Sequence, residues 1–325
     1  MKKIFINELN SGDNMDSQPF VVRKIHSQRA SNGKEYWNLT LADKTGEIYA
    51  KVWADNLASC DQVTGGDVVL VYGTVSEYKE RKQIIIAKMI KSDEFDMSDF
   101  IEKSQKDTAA MFDFIEQAIS AIENKFVKKL VQSFFTDQNF IERFKSAPGA
   151  QKIHHAYVGG LLEHTYEMLK FAQCVEAEYP VINKDLLTAG ALLHDIGKME
   201  ELAVSSDIER TVKGKLIGHL TIGALTIAKK MDAIKNFPEH LKNKILNLIL
   251  GHHGKLEFGS PVKPMLLESQ VLYRIDELSS KTNTAAREYE LGLPTSEDFS
   301  EKNFALDTEI YIRNDDDNHT QVKLI

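Results

Sequence analysis

Apolar and polar positions alternate with a period of two over residues 18–91 of this chain. The alternation recurs in five short runs rich in β-branched and aromatic residues: QPFVVRKI, YWNLTLAD, GEIYAKVW, DVVLVYGTV and KQIIIAKMI. Turn-forming residues at 31–33, 43–46 and 64–67 separate several of these runs. Five strands so closely spaced predict a small β-barrel, with a short helix or loop at 57–63 between the third and fourth strands.

The hydrophobic period becomes helical after residue 107. Residues 92–107 are polar and charged, and they predict a linker. Asp107 or Thr108 is suited to cap a helix whose apolar face runs from Met111 to Leu130, and a second helix is predicted near 139–145. Further helices are predicted at about 156–178, 184–196, 218–233, 239–251, 264–279 and 283–290. The insert at 204–215 breaks this pattern and predicts a hairpin over the site described next.

Histidine is concentrated in the helical part of the chain. Eight of the 10 histidines lie between residues 154 and 253, and LLTAGALL, which predicts a buried helix, leads directly into His194-Asp195. A His-Asp pair at the inner end of such a helix is costly to bury unless it binds something, and a cation removes that cost. A mixed set of imidazoles and carboxylates favours a hydrolytic metal site over a structural thiolate site.

The surrounding histidines and aspartates stand in suitable helical contexts. His164 borders the apolar face of its helix, His219 opens a helix, His252 and His253 close one between two glycines, and Asp276 lies on an apolar helix. This order resembles the H…HD…H…H…D pattern of the HD-domain superfamily of metal-dependent phosphohydrolases. The resemblance implies that His164, His194, Asp195 and Asp276 hold one cation. Asp195 would bridge to a second cation held by His219 and either His252 or His253.

Two further groups have weaker assignments. Lys198 follows the His-Asp pair and is predicted to contact a phosphate, with a solvated helix end as the other interpretation. Either His154 or His155 contacts the phosphate or the leaving oxygen, or else caps the first ligand helix; we select His155. Together with Asp195, Lys198 and His155 form the predicted catalytic set.

The strand region combines aromatic and basic side chains. It resembles a nucleic-acid-binding OB-fold of the tRNA-anticodon-binding type, and exposed rings interleaved with cations are what single-strand binding requires. About half of the aromatics must nevertheless face the barrel core, and for each tryptophan both placements stay open. The turn near residues 78–82 is either a binding loop or a solvated turn. The predicted nucleic-acid contacts are Tyr36, Trp37, Lys51, Trp53, Lys79 and Arg81.

The order of these parts resembles the YhaM family of bacterial 3′–5′ exoribonucleases over nearly the whole chain. The resemblance implies a multidomain β + α protein: an OB-fold barrel at 1–91, a linker and helical connector at 92–150, an all-α HD domain at 151–290 and a C-terminal tail at 291–325, whose role stays open. It also implies metal-dependent release of 5′-mononucleotides from single-stranded RNA, with single-stranded DNA as a second substrate. Two divalent ions are expected, Mn²⁺ first, with Mg²⁺, Co²⁺ and Fe²⁺ also compatible.

Composition leaves this interpretation intact. The net charge is −8, but residues 1–92 carry 13 Lys and Arg against 11 Asp and Glu, so the acidic excess lies in the helical part, where cations would bind. No apolar run predicts a secretory signal or a membrane span, and the two cysteines predict no disulfide framework. We therefore expect a cytoplasmic protein without membrane contact; oligomerisation stays open. The competing hypotheses are a phosphohydrolase of free or cyclic nucleotides, and a nucleic-acid-binding protein with little catalysis.

Overall fold

A computed structural model describes residues 2–79, 81–292 and 298–312. The chain divides into two compact units. The first contains Met1–Lys103 together with Val204–Ile208, and the second contains Ser104–Ala203 and Glu209–Ile325. The acidic run at 315–317, part of the predicted C-terminal tail, lies outside the described residues.

The first unit is a closed five-stranded barrel, as the period-two pattern predicted. Its strands are β1 (Asn14–Arg29), β2 (Glu35–Asp43), β3 (Gly46–Val52), β4 (Val68–Tyr78) and β5 (Arg81–Lys91). They close in the order β1-β2-β3-β5-β4. Only β3 and β5 pair in parallel among these five strands. Alternate residues such as Leu39, Leu41, Ile84 and Ile86 fill the interior.

The segments around the barrel refine two predictions. The connection between β3 and β4 contains a short 3-10 helix, Ala54–Ser59, slightly earlier than the predicted 57–63. The predicted linker at 92–107 is not exposed throughout, because the side chains of Phe100 and Ile101 are buried. The first compact unit accordingly continues to Lys103.

The second unit consists mainly of helices packed around one apolar core. A two-stranded sheet, β6 (Leu202–Val204) with β7 (Ile208–Arg210), forms at the predicted insert, and its residues Val204–Ile208 belong to the first unit. The helices are α1 (Thr108–Ala121), α2 (Lys125–Phe135), α3 (Gln138–Ser146), α4 (Gly160–Glu178), α5 (Lys184–Leu193), α6 (Lys198–Glu201), α7 (Val212–Ile217), α8 (His219–Ala233), α9 (Glu239–Gly251) and α10 (Leu267–Gly292).

Helix boundaries differ from the prediction at two places. The single helix predicted through Met111–Leu130 is two helices, because Asn124 accepts hydrogen bonds from the backbone N–H groups of Phe126 and Val127 and so starts α2. The two helices predicted at 264–279 and 283–290 are one continuous helix, α10. The insert also continues beyond its strands into α7, which the hairpin prediction did not include.

Candidate metal centre

Seven predicted ligands converge from five helices of the second unit. His164 lies in α4, His194 and Asp195 directly follow α5, and His219 is the first residue of α8. His252 and His253 follow α9, and Asp276 lies in α10. Residues separated by more than a hundred positions therefore present donor atoms to one small volume.

One group of donors surrounds the Oδ2 atom of Asp195. The Nε2 atom of His164 lies 3.2 Å from Nε2 of His194, 3.2 Å from Oδ1 of Asp276 and 3.7 Å from Oδ2 of Asp195. His194 Nε2 lies 3.3 Å from the same Asp195 oxygen. Ligand atoms about 2.1 Å from a shared cation are roughly 3.0–3.4 Å apart, so these separations suit a cation at their centre.

A second group of donors surrounds the other oxygen of Asp195. Its Oδ1 atom lies 3.6 Å from Nε2 of His219 and 3.5 Å from Nε2 of His252. Nε2 of His253 lies 3.2 Å from Nε2 of His219, and these three histidines form a compact donor set. Both His252 and His253 therefore belong to the second group, and Asp195 links the two groups through its two oxygens.

Each of the five imidazoles is fixed through its other ring nitrogen. Backbone carbonyls lie within hydrogen-bonding distance of three Nδ1 atoms: Ala191 O at 3.1 Å from His194, Ile249 O at 2.7 Å from His252, and Phe258 O at 2.9 Å from His253. Glu201 Oε2 lies 2.8 Å from Nδ1 of His219. Acceptors at Nδ1 keep the proton there, so Nε2 keeps the lone pair that a metal requires.

The fifth imidazole, His164, is held by a short chain of side chains. Ser279 Oγ donates to Oε2 of Glu167 at 2.7 Å, and it lies 3.0 Å from Nδ1 of His164. A hydroxyl has a single proton, so Ser279 must accept from Nδ1 of His164. Lys106 Nζ lies 2.7 Å from Oε1 of Glu167 and 3.0 Å from Oε1 of Glu163, which anchors the chain.

Charge and burial give the groups distinct titration properties. Burial opposes ionisation of Asp195 and Asp276, but neighbouring cationic groups and hydrogen bonds outweigh it and hold both pKa values well below the usual range. Burial lowers the pKa values of His164 and His252. For His194, the carboxylate of Asp195 outweighs burial and raises the pKa.

Two buried donor atoms support this assignment to a metal. Oδ1 of Asp195 and Nε2 of His252 have no hydrogen-bond partner within the described residues, although both side chains are buried. A carboxylate oxygen without a partner is costly in such surroundings, and a divalent cation would offset that cost. The donor set of imidazoles and carboxylates suits divalent cations such as Mn²⁺.

The other predicted catalytic residues occupy different positions. Lys198 Nζ lies 2.6 Å from Oδ2 of Asp195, at the edge of the first donor group. His155 is fully buried, and its Nε2 lies 3.2 Å from Oε2 of Glu167, so it supports the chain that holds His164. The ring of His154 lies 6.0 Å from that of His164. Burial, with the charge of Lys198, lowers the pKa of His154 to about 3.

Of the predicted nucleic-acid contacts, three form a cluster on the barrel. The Tyr36 and Trp53 rings have centroids 5.5 Å apart, and Lys51 Nζ lies 5.2 Å from the first ring and 4.7 Å from the second. Trp53 is 44% exposed. Lys79 and Arg81 are exposed at the turn joining β4 and β5. Trp37 differs, because it is only 6% exposed within the barrel core and has no face available for a base.

Sequence reasoning missed the side chains that orient the ligands. Glu167 and Ser279 hold His164, and Glu201 holds His219. A partial signal was present, because Glu167 lies three residues after His164 and Ser279 three residues after Asp276, each about one helical turn from a ligand. No comparable spacing connects Glu201 to His219.

Comparison with known proteins places this chain in a family. Residues 161–281 match the HD domain family and residues 21–91 match the OB-fold nucleic acid binding domain family. The chain is 34% identical to the 3′–5′ exoribonuclease YhaM of Bacillus licheniformis and 32% identical to that of Bacillus subtilis, with 96% of this chain and 98% of each relative covered. It is 33% identical to YhaM of Shouchella clausii, with 90% and 91% covered.

Among the described residues, no helix is long and apolar enough to cross a membrane. The barrel, the helical HD domain and the similarity over almost the full length of these relatives agree with one another. The chain belongs to the YhaM family of 3′–5′ exoribonucleases.

Proposed function

We propose that this protein is a metal-dependent 3′–5′ exoribonuclease that releases 5′-mononucleotides from single-stranded RNA. The observation that carries the proposal is Asp195, whose two oxygens each face a separate group of histidines. Its relatives are named for this activity, and the chain also carries a barrel of a nucleic-acid-binding family.

The donor groups would hold two divalent cations. His164, His194, Asp195 and Asp276 would bind one, and Asp195, His219, His252 and His253 the other, with Mn²⁺ as the preferred ion. When bound, such ions supply Lewis acidity that polarises a phosphoryl group and lowers the pKa of water.

The reaction adds water across the bond between phosphorus and the 3′ oxygen of the preceding nucleotide. The water oxygen joins phosphorus, and the departing 3′ oxygen takes up a proton. Lys198 is placed to stabilise negative charge on the phosphate, because its ammonium group lies at the edge of the first donor group, where the phosphate would bind. His154 rather than His155 is the better candidate to contact the leaving oxygen, because Nε2 of His155 already lies beside Glu167.

The barrel would bind the single strand through stacking and charge. Tyr36 and Trp53, with Lys51 beside both rings, provide an aromatic surface that any base can use. Such a surface does not by itself distinguish RNA from DNA, so single-stranded DNA is a second expected substrate. Because Lys51, Lys79 and Arg81 would follow the phosphates, binding should weaken as salt increases. We place the enzyme in the cytoplasm with its RNA.

The test uses a 5′-labelled single-stranded RNA incubated with Mn²⁺, with EDTA, or with a His194→Ala/Asp195→Ala variant. We expect a ladder that shortens from the 3′ end with Mn²⁺ and is absent under the other two conditions. His240→Ala is the matched control, since His240 is exposed in the same unit and lies outside both donor groups. RNA that stays intact with Mn²⁺, while free nucleotides are hydrolysed, would overturn the proposal.

A further inference from the structure

A cavity lies in the helical unit, away from the two donor groups. It has a volume of about 180 Å³, and it lies between residues 152–153, the C-terminal half of α10 and the segment at 303–305. None of the seven metal-ligand candidates lines it. The proposed hydrolysis does not yet give this cavity a role.

The segment at 303–305, which forms the outer wall of the cavity, is held by contacts with α10. Asn303 Nδ2 donates to Oε1 of Glu288 at 2.7 Å, and Lys281 Nζ donates to the carbonyl of Ala305. Ile312, further along the same segment, is 4% exposed. These contacts attach the C-terminal segment to α10, so the wall has a defined position.

The chemistry of the lining suits one nucleotide unit. Lys152 and Arg287 bring positive charge, whereas the hydroxyl of Thr284 donates to the carbonyl of Ser280 and the amide oxygen of Asn303 accepts from the N–H groups of Ala305 and Leu306. Phe304 also lines the cavity, yet its side chain is fully exposed at 101%. Glu288 is the acidic residue of the lining, and it already accepts a hydrogen bond from Asn303. Cations beside an open aromatic ring match a phosphate beside a base.

Two segments connect the donor groups to the cavity, α10 and the residues before His154. Arg287 is 11 residues after Asp276 on α10, which corresponds to about 16 Å along the helix and a rotation of only roughly 20°. Both residues therefore lie on nearly the same helix face. From the other side, Lys152 is two residues before His154, whose ring lies 6.0 Å from that of His164. A strand with its 3′ end at the donor groups would pass His154 and reach this cavity.

We propose that this cavity binds a nucleotide of the substrate strand, a few nucleotides on the 5′ side of the scissile phosphate. The proposal rests on the exonuclease function and adds a substrate subsite to it. It also assigns a role to the C-terminal segment, because Asn303 and Phe304 belong to that segment.

The test compares a dinucleotide with a hexanucleotide as substrates. For Phe304→Ala and for the Lys152→Gln/Arg287→Gln pair, we expect the KM for the hexanucleotide to rise about tenfold while that for the dinucleotide stays unchanged, because the shorter substrate does not reach the cavity. Tyr179→Ala and Lys129→Gln are matched controls, since both residues are exposed in the same unit and neither lines the cavity. Thermal unfolding followed by circular dichroism confirms that each variant is folded.

A binding measurement separates failure of this proposal from failure of the proposed function. Fluorescence anisotropy of a labelled hexanucleotide in EDTA needs no cleavage, and the same variants should bind it about tenfold more weakly than the wild type. If the wild type cleaves RNA but the variants keep both the KM and the anisotropy of the wild type, the subsite is wrong. Weaker binding of free 5′-AMP with unchanged hexanucleotide binding would also overturn it, and would indicate a site for free nucleotides.

Discussion

Gly197, two residues after Asp195, permits a close backbone approach in the metal centre. A Cβ atom at this position would lie 2.1 Å from the carbonyl oxygen of His219 and 2.8 Å from the amide nitrogen of Gly223. The backbone angles of Gly197 are ordinary, with φ −62° and ψ −23°, so alanine would be acceptable locally. Only the contact with α8 requires glycine.

The consequence of Gly197→Ala follows from that distance. Restoring an ordinary contact of 3.4 Å from 2.1 Å separates the turn and α8 by about 1.3 Å. His219 is the only proposed ligand on α8, whereas the first donor group lies on α4, α5 and α10. We expect a loss of about 3 kcal/mol in the free energy of unfolding, since the clash is with backbone. We also expect activity to fall about a hundredfold.

Isothermal titration with Mn²⁺ gives the decisive readout, because stoichiometry should fall from two ions per chain to one. Gly223→Ala is the matched control. A Cβ atom there meets nothing nearer than 3.6 Å, and alanine favours the helix by about 1 kcal/mol. A Gly197→Ala protein that still binds two ions with unchanged affinity would show that the close approach between Gly197 and α8 does not determine metal binding by the second donor group.

Three further predictions test separate parts of the structure. Ser279→Ala should release His164 and weaken Mn²⁺ binding at the first donor group at least tenfold, measured by titration calorimetry. Burial opposes ionisation of Glu167, but its hydrogen bonds, first from His155, hold its pKa at about 2 against 4.5 in the unfolded chain. Because the pKa of Glu167 is lower in the folded protein, its ionised carboxylate stabilises the metal-free fold by about 3 kcal/mol above pH 4.5. This stabilisation is lost as the pH falls towards 2. Glu167→Gln should flatten this acid dependence in urea unfolding followed by circular dichroism at 222 nm; an unchanged slope would contradict it. Trp53→Ala should weaken single-strand binding by about 1–3 kcal/mol without lowering barrel stability, whereas Trp37→Ala should lower barrel stability by about 3–5 kcal/mol. Anisotropy and thermal unfolding distinguish these two outcomes.

The sequence identified the residues that converge at the candidate metal centre but not the side chains that support them. His194 and Asp195 are conspicuous because polar groups directly follow an apolar run. Ser279 and Glu167, by contrast, are ordinary helical residues, and their link to His164 depends on α4 and α10 packing side by side. That packing is a tertiary property, and the hydrophobic pattern of each helix does not determine which neighbour it meets.

Helix boundaries show the same division between local and tertiary information. The apolar face from Met111 to Leu130 continues in register through the break at Asn124, so periodicity alone reads one helix where there are two. The cap at Asn124 was a local signal, since asparagine is favoured at helix starts. The opposite error occurred near residue 281, where two helices were predicted although no glycine or proline interrupts α10 before Gly292.

The placement of the two tryptophans was decidable from strand periodicity. In β2, Trp37 has the same parity as Leu39 and Leu41, and all three are buried. In β3, Ile48, Ala50 and Val52 face inward, so Tyr49 and Lys51 share the opposite face. Trp53 directly follows β3 with an extended backbone and continues the outward series. Because side chains alternate strictly along a strand, the buried neighbours of each tryptophan assign Trp37 to the core and Trp53 to the outer face. The proposed nucleic-acid surface of the barrel is therefore a consequence of how its core is packed.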